Sequence, residues 1–213
     1  MRLPQSLSRA FVFNLLFTLG FGVVAILVGD KNINAFDASV TRYIQGKESV
    51  EWTRVMKIFT DIGSGVPVVI ITIISMTFIH YILHHRRELV LFITVLVGSE
   101  ILNVVLKAIF HRERPTVHRL ISESGFGFPS GHSMGAFSLY GALVFLLWKH
   151  IPVLWGRTLL ILISVTLILA IGISRIYLGV HYPSDVFAGY LASGFWLMTS
   201  ISVYQRFMER FHH

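Results

Sequence analysis

Six long apolar stretches, separated by shorter polar segments, decide what this chain can fold into. They lie at about residues 11–28, 66–83, 89–110, 133–148, 157–173 and 186–204. A helix needs about 20 mostly apolar residues to cross a bilayer. We therefore predict an all-α membrane protein, a six-transmembrane helix bundle that forms a single domain over residues 1–213. We interpret the first stretch as an uncleaved span, because no small-x-small cleavage pattern accompanies it.

The composition agrees with a membrane protein. Only 14% of the 213 residues are charged, 54% are hydrophobic, and the mean hydropathy is +0.69. Soluble domains carry about 25% charged residues, and disordered chains combine low hydrophobicity with high charge, so both classes are excluded. The chain has no cysteine, which excludes disulfides, thiolate metal sites and a cysteine nucleophile.

The net charge of +7 is unevenly distributed along the chain. In a six-span protein the two termini and segments 84–88 and 149–157 lie on one side of the membrane. Their charged residues are Arg2, Arg9, Arg86, Arg87, Glu88, Lys149, Arg157, Arg206, Glu209 and Arg210. Positively charged loops stay in the cytoplasm. We therefore expect both termini inside, and we attribute the basic excess to topology and not to nucleic acid as a partner.

Two polar segments are long enough to need an explanation. Residues 29–65 are expected outside, either as a plain connecting loop or with an amphipathic helix at about Val50–Phe59 on the membrane surface. Residues 111–132 form the second long loop, which by its length is functional or mobile.

Three polar clusters interrupt the apolar pattern near the ends of spans three to six. The first runs from Lys107 to Pro115, the second from Phe128 to His132, and the third from Ser174 to Asp185. The order of the spans brings all three clusters to the extracytoplasmic face. We therefore predict that the active site lies at this face.

The first chemical signal in these clusters is a set of fixed cations, Lys107, Arg114 and Arg175. Charged side chains at a membrane interface are costly and normally mark function. Arginine forks and a lysine ammonium match phosphate oxygens. Ser130 and Gly131 lead into a predicted helix, whose first N–H groups and dipole favour an anion. Together these features predict a phosphate-binding site.

The second signal is a pair of histidines. Asp185 follows His181 by four residues, a spacing at which the carboxylate can accept a hydrogen bond from one ring nitrogen and leave the other free. Such an imidazole can attack phosphorus, and His132 could protonate the leaving alkoxide. No metal-ligand cluster is evident, and the three cations could supply the positive charge that a metal supplies elsewhere.

These clusters resemble the three motifs of the type 2 phosphatidic acid phosphatase superfamily, a family of membrane lipid phosphatases. Residues 107–115 match K-x6-R-P, residues 129–132 match P-S-G-H, and residues 174–185 match S-R-x5-H-x3-D. The resemblance covers spans three to six, with the motif-bearing part at residues 107–185.

The resemblance implies a role for each of these residues. His181 would be the nucleophile that forms a phosphohistidine, Asp185 would orient it, and His132 would be the general acid. The phosphate-binding set would be Lys107, Arg114, Ser130, Gly131 and Arg175. The resemblance implies no cofactor.

The activity implied is hydrolysis of a lipid phosphomonoester or pyrophosphate at the outer face of a bacterial plasma membrane. The expected substrates are phosphatidylglycerol phosphate and undecaprenyl pyrophosphate, and a phosphatidic acid phosphatase of broad specificity is the alternative. Vanadium haloperoxidases share the motifs, but they are soluble, and the six predicted spans argue against that class. A lipid transporter is also disfavoured, because its ionisable residues would run through the membrane midplane, whereas here they cluster at one face.

Polar residues outside the motifs are expected to have structural or solvated roles. We expect Arg112 and Arg119 to lie on a solvated loop face, and Glu100, which shares a helix face with Asn103 and Lys107, to be structural. The histidines expected to be structural are His80, His84, His85, His111, His118 and His150, and the final pair, His212 and His213, resembles the remnant of an expression tag.

Overall fold

The computed structural model describes residues 5–82 and 86–210, and the regular elements within those ranges are all helices. In chain order they are α1 (Gln5–Gly29), α2 (Asn34–Gln45), α3 (Val50–Ile62), α4 (Gly65–Thr77), α5 (Arg86–Phe110), α6 (Gly131–Trp148), α7 (Leu154–Tyr177) and α8 (Pro183–Arg210). A π-helical segment at Phe78–Ile82 extends α4. The predicted all-α fold class is confirmed.

Five of these helices are individually long and apolar enough to cross a membrane. Their candidate spans are Ala10–Gly29, Arg87–Phe110, Gly131–Trp148, Leu154–Tyr177 and Pro183–Glu209. They match five predicted spans, but α7 continues past residue 173 and α8 begins before residue 186. The apolar stretches are shorter than these two helices because the additional helical residues include the polar residues Arg175 and Asp185.

The predicted span at 66–83 differs from the others. Within the described residues, α4 and its π-helical extension qualify as a crossing only together with α3, from which they are bent by 53°. The bend lies at Gly63–Gly65, where the hydroxyl and the N–H of Ser64 both bond to the Asp61 carbonyl and end α3. The described residues therefore contain five candidate spans, and a sixth if the bent pair is counted as one.

The polar segment 29–65 is mostly helical, so its interpretation as a plain connecting loop is wrong. It contains α2 and α3, and α3 covers the amphipathic helix predicted at Val50–Phe59. Ser49 caps α3 by accepting a hydrogen bond from the Trp52 N–H at 3.2 Å, an arrangement that satisfies a donor without an intrahelical partner. By contrast, the structure has no helix between Phe110 and Gly131, as predicted.

The protein interior is built mainly from α5 to α8. Phe92, Leu139 and Ile171 have no exposed surface and form part of its main apolar cluster. Helices α7 and α8 approach closely at Gly172, where a Cβ atom would lie 1.9 Å from the Tyr190 hydroxyl oxygen. This close contact brings the end of α7 that carries Arg175 beside the start of α8 that carries Asp185.

Candidate active site

The three polar clusters meet at one end of the helix bundle. The last turns of α5 and α7 carry Lys107 and Arg175, and α6 and α8 begin there. The Ser130 N–H donates to the Asp185 carbonyl at 3.0 Å, which joins the second cluster to the third. Arg114 lies 2.9 Å from His181, which joins the first to the third. The structure thus brings the predicted site residues together.

His181 lies in the connection between α7 and α8 and is 1% exposed. Its Nε2 atom is 2.9 Å from Nη1 of Arg114. A guanidinium can only donate hydrogen bonds, so Nε2 must be the acceptor and the ring proton must be on Nδ1. Nδ1 points towards Oδ2 of Asp185 at 3.4 Å. The lone pair of the neutral ring therefore lies on Nε2, the nitrogen that accepts from Arg114.

The surroundings of His181 favour its neutral form. Burial, followed by the charges of Arg114, Arg175 and Lys107, lowers the pKa of this imidazole well below its ordinary value. A further positive charge is unfavourable beside three cations. The lowered pKa and the Arg114 hydrogen bond therefore both favour the neutral imidazole at neutral pH.

Asp185 is held in place by several hydrogen bonds. It is fully buried, its Oδ2 accepts from the Tyr182 N–H at 2.9 Å, and its Oδ1 accepts from Arg112 at 2.5 Å. Arg112 also pairs with the buried Asp37 of α2 at 2.7 Å, and only 13% of its side chain is exposed. The expectation that Arg112 lies on a solvated loop face is wrong, because two carboxylates distant in sequence enclose it.

Arg175 is the most deeply buried cation of the cluster, with 1% of its surface exposed. Its Nη1 donates to the Thr60 hydroxyl at 2.5 Å, and its Nη2 donates to Glu123. Its buried Nε has no hydrogen-bond partner in the described part of the chain. Buried donors are normally satisfied, so this atom is available to an acceptor that enters the site.

Glu123 lies between two of the predicted phosphate ligands. It bonds to Arg175, and its Oε2 lies 3.9 Å from Nη2 of Arg114. Burial opposes ionisation of this carboxyl, but the hydrogen bond from Arg175 and nearby positive charges leave its pKa below the ordinary value. A carboxylate thus lies against the guanidinium groups that a phosphate would also contact.

The start of α6 also borders the cluster of predicted site residues. Ser130 caps the helix, with its Oγ accepting from the Ser133 N–H at 3.4 Å. A Cβ atom at Gly131 would lie 3.6 Å from Nζ of Lys107 and 3.0 Å from Oδ1 of Asn103. Helix geometry leaves the first N–H groups of α6 without intrahelical partners. These donors and the lysine therefore face the same small space.

His132 is the second residue of α6 and is half-buried. Its ring lies close enough to the charged groups of Arg175, Glu123 and Lys107 to interact with them electrostatically. On its other side it meets the α3–α4 bend, where a Cβ atom at Gly63 would lie 3.5 Å from Cδ2 of His132. The predicted proton donor therefore belongs to the same cluster as His181.

The motifs did not indicate three residues that contact the predicted site residues, namely Thr60, Arg112 and Glu123, or Asp37, which reaches Asp185 through Arg112. Asp37 and Thr60 come from the polar segment 29–65, and no local pattern links them to the motifs. Arg112 and Glu123 lie within or close to the motifs, and their only signal was charge in the long loop 111–132.

Other polar residues named in the sequence analysis are mostly exposed, although Arg119 donates to the Pro115 and Arg114 carbonyls. Glu100 is exposed on α5, and His118 is an exposed residue that pairs with Glu48 at 2.6 Å. His111 is also exposed, and Arg119 is exposed as expected. His84, His85, His212 and His213 lie outside the described residues.

Comparison with known families agrees with the motifs. The family model described as the PAP2 superfamily matches residues 88–209. This matched region is more than half of the chain and contains every predicted site residue.

Two curated bacterial proteins and one solved structure resemble the chain. Phosphatidylglycerophosphatase B of Bacillus subtilis is 42% identical over 93 residues, which is 43% of this chain and 46% of that protein. A putative undecaprenyl-diphosphatase of Escherichia coli is 34% identical over 113 residues, 50% of this chain and 52% of that protein. The chain thus spans about half the length of the curated relatives it matches.

The crystal structure of a transmembrane PAP2 type phosphatidylglycerolphosphate phosphatase from Bacillus subtilis superimposes with a TM-score of 0.76 at 29% identity. The match covers 92% of this chain and 96% of that one. The likeness of fold therefore extends over α1 to α4, where the family model does not match.

Proposed function

This chain belongs to the PAP2 superfamily, and we propose on that basis that it is a membrane lipid phosphatase that acts through a phosphohistidine. The observation that carries the proposal is the setting of His181. Its Nε2 is an acceptor beside Arg114, and its Nδ1 faces Asp185 at 3.4 Å. A neutral imidazole with a fixed tautomer, beside Arg114 and in the same cluster as the unpartnered Nε of Arg175, suits attack on a phosphate.

In the first step, Arg114 turns from Nε2 of His181 to a phosphoryl oxygen, and Nε2 attacks the terminal phosphorus. The bond that breaks joins this phosphorus to the lipid oxygen in a phosphomonoester, or to the oxygen of the lipid phosphate in a pyrophosphate. The imidazole becomes positively charged, and Asp185 stabilises that charge through Nδ1–H. His132 enters this step protonated, with its charge balanced by the bound substrate, and gives its proton to the leaving oxygen. Arg114, Arg175, Lys107 and the first N–H groups of α6 bind the phosphoryl oxygens, on which negative charge is concentrated.

In the second step, His132 takes a proton from a water molecule, and that water attacks the phosphohistidine. The P–N bond breaks, inorganic phosphate forms, and His181 returns to its neutral state. Glu123 contacts both Arg175 and Arg114, so a substrate phosphate must take its place or share these donors.

The substrates that we propose are phosphatidylglycerol phosphate and undecaprenyl pyrophosphate, the latter favoured by access from outside the cell. The names of the two curated relatives support both. We place the protein in a bacterial plasma membrane with both termini in the cytoplasm and the site outside. The basic residues at the opposite ends of the spans support this orientation.

The test is phosphate release by the purified protein in detergent, with phosphatidylglycerol phosphate, undecaprenyl pyrophosphate and phosphatidic acid assayed side by side. We expect turnover of at least one of the first two, and we expect His181→Ala to abolish it. His118→Ala is the matched control, because His118 is exposed and outside the cluster. Full activity in His181→Ala would refute the mechanism, and no release from any lipid by the wild-type protein would refute the activity.

A further inference from the structure

We propose that Asp37 and Arg112 form a positioning pair that orients Asp185, and through it the imidazole of His181. The inference rests on the proposed function, because it assigns these two residues a part in the same reaction. It also gives the polar segment 29–65 a role, since Asp37 belongs to α2 in that segment.

Arg112 occupies the centre of this arrangement. Its Nη1 donates to Oδ1 of Asp185 at 2.5 Å and to Oγ of Ser184 at 2.7 Å, and its Nη2 donates to Oδ2 of Asp37 at 2.7 Å. Its guanidinium also lies over the Tyr182 ring, 4.5 Å from the ring centroid. A planar group with this many contacts is restricted to one orientation.

Asp37 contacts the start of α8 from helix α2. It is 1% exposed, its Oδ1 accepts from the Ser184 N–H at 2.9 Å, and its Oδ2 accepts from the Ser184 hydroxyl at 2.6 Å. The Ser184 N–H is one of the first donors of α8, which have no partner within their own helix. Asp37 therefore caps α8 from a different helix and holds the turn that contains Asp185.

The consequence for Asp185 follows from its two carboxylate oxygens. Arg112 binds Oδ1, which leaves Oδ2 to accept from the Tyr182 N–H and to face Nδ1 of His181. Without Arg112 the carboxylate would be free to rotate, and two buried aspartates would lie close together without a cation between them. Removing one member of a buried charged group leaves the others uncompensated.

The pair can be tested with conservative substitutions, Arg112→Lys and Asp37→Asn, together with Arg112→Ala. Phosphate release from phosphatidylglycerol phosphate micelles gives kcat and KM, and thermal unfolding in detergent reports folding. We expect kcat to fall about 10–100-fold, the effect typical of removing a partner that orients a functional histidine. KM should change little, because neither residue faces the phosphate site, and Arg112→Lys should retain more kcat than Arg112→Ala. The matched controls are the exposed neighbours Glu113→Gln and Asp30→Asn, whose kcat should stay at the wild-type value.

A double-mutant cycle separates positioning from a general structural role. If Arg112 acts through Asp185, Arg112→Ala should lower kcat far less in an Asp185→Asn background than in the wild type. Equal losses in both backgrounds would overturn the proposal, as would wild-type kcat in Arg112→Lys and Asp37→Asn. If Arg112→Ala does not fold, those two variants decide the question. Loss of activity in His181→Ala together with unchanged Asp37 and Arg112 variants would refute this pair alone and leave the proposed phosphatase intact.

Discussion

At the scale of single residues, the site works by concentrating positive charge around a neutral base. His181 is almost completely buried, yet it lies beside Arg114 and Arg175. Burial and these cations together lower the pKa of the imidazole. In the mechanism that we propose, the same cations bind the phosphate, so one set of charges serves both substrate binding and activation of the nucleophile.

This arrangement predicts the pH dependence of the reaction. Because the pKa of His181 is lowered from its ordinary value of 6.5, protonation of the nucleophile should inactivate the enzyme only below that pH. We expect the acidic limb of kcat/KM, measured between about pH 4 and pH 8, to lie on the acid side of pH 6.5. A limb centred at or above pH 6.5 would contradict this setting, provided that samples returned to neutral pH recover full activity.

Residue identities in the motifs were readable from the sequence, but their partners were not. The spacing of His181 and Asp185 predicted that they lie close together, and Nδ1 of His181 lies 3.4 Å from Oδ2 of Asp185. The sequence interpretation placed Arg112 in solvent, because nothing near it indicated a partner. Its true partners, Asp37 and Asp185, are more than 70 positions away, and only folding brings these three side chains together.

At the scale of elements, the site depends on how closely the helix ends can approach. Gly179 has a φ of +74°, and a Cβ atom there would lie 1.8 Å from the His118 carbonyl oxygen. Glycine alone tolerates this backbone conformation and contact readily. It allows the 111–130 loop to lie against the connection that carries His181, where the Leu120 N–H donates to the Leu178 carbonyl at 3.0 Å.

The contact between α7 and α8 gives a prediction about stability. Gly172→Ala would place a methyl group 1.9 Å from the Tyr190 hydroxyl oxygen, which itself donates to the Ile168 carbonyl at 2.8 Å. Overpacking of this kind typically costs about 1–3 kcal/mol. We expect a lower thermal midpoint in detergent and reduced phosphatase activity.

Gly135→Ala is the control for that experiment. Gly135 lies in α6, and a Cβ atom there would have no neighbour within 4 Å. Its thermal midpoint should match that of the wild type. Equal thermal midpoints for Gly172→Ala and Gly135→Ala would show that the α7–α8 contact tolerates the added methyl group.

At the scale of the whole molecule, the bundle separates two kinds of charge. The cations of the site gather where α6 and α8 begin, and Lys149 and Arg157 lie at the other end, where α6 ends and α7 begins. Trp155 of α7 belongs to that other end and is 72% exposed, while Val117 of the 111–130 loop is 96% exposed.

The absence of cysteine makes this topology directly testable. We expect a membrane-impermeant maleimide to label a Val117→Cys variant in intact cells, because the loop near the site should face outside. A Trp155→Cys variant should be labelled only after the cells are permeabilised. The reverse pattern would place the site on the cytoplasmic face.

The amino-acid sequence alone was sufficient for the fold class, five spans and the motif residues, because apolar length and motif spacing are local properties. It was insufficient for the bend between α3 and α4 and for the environment of His181 and Asp185. Asp37, Thr60 and Glu123 contact the site from separate parts of the chain. Their contacts depend on helix packing and loop placement, which join residues that no spacing in the sequence relates.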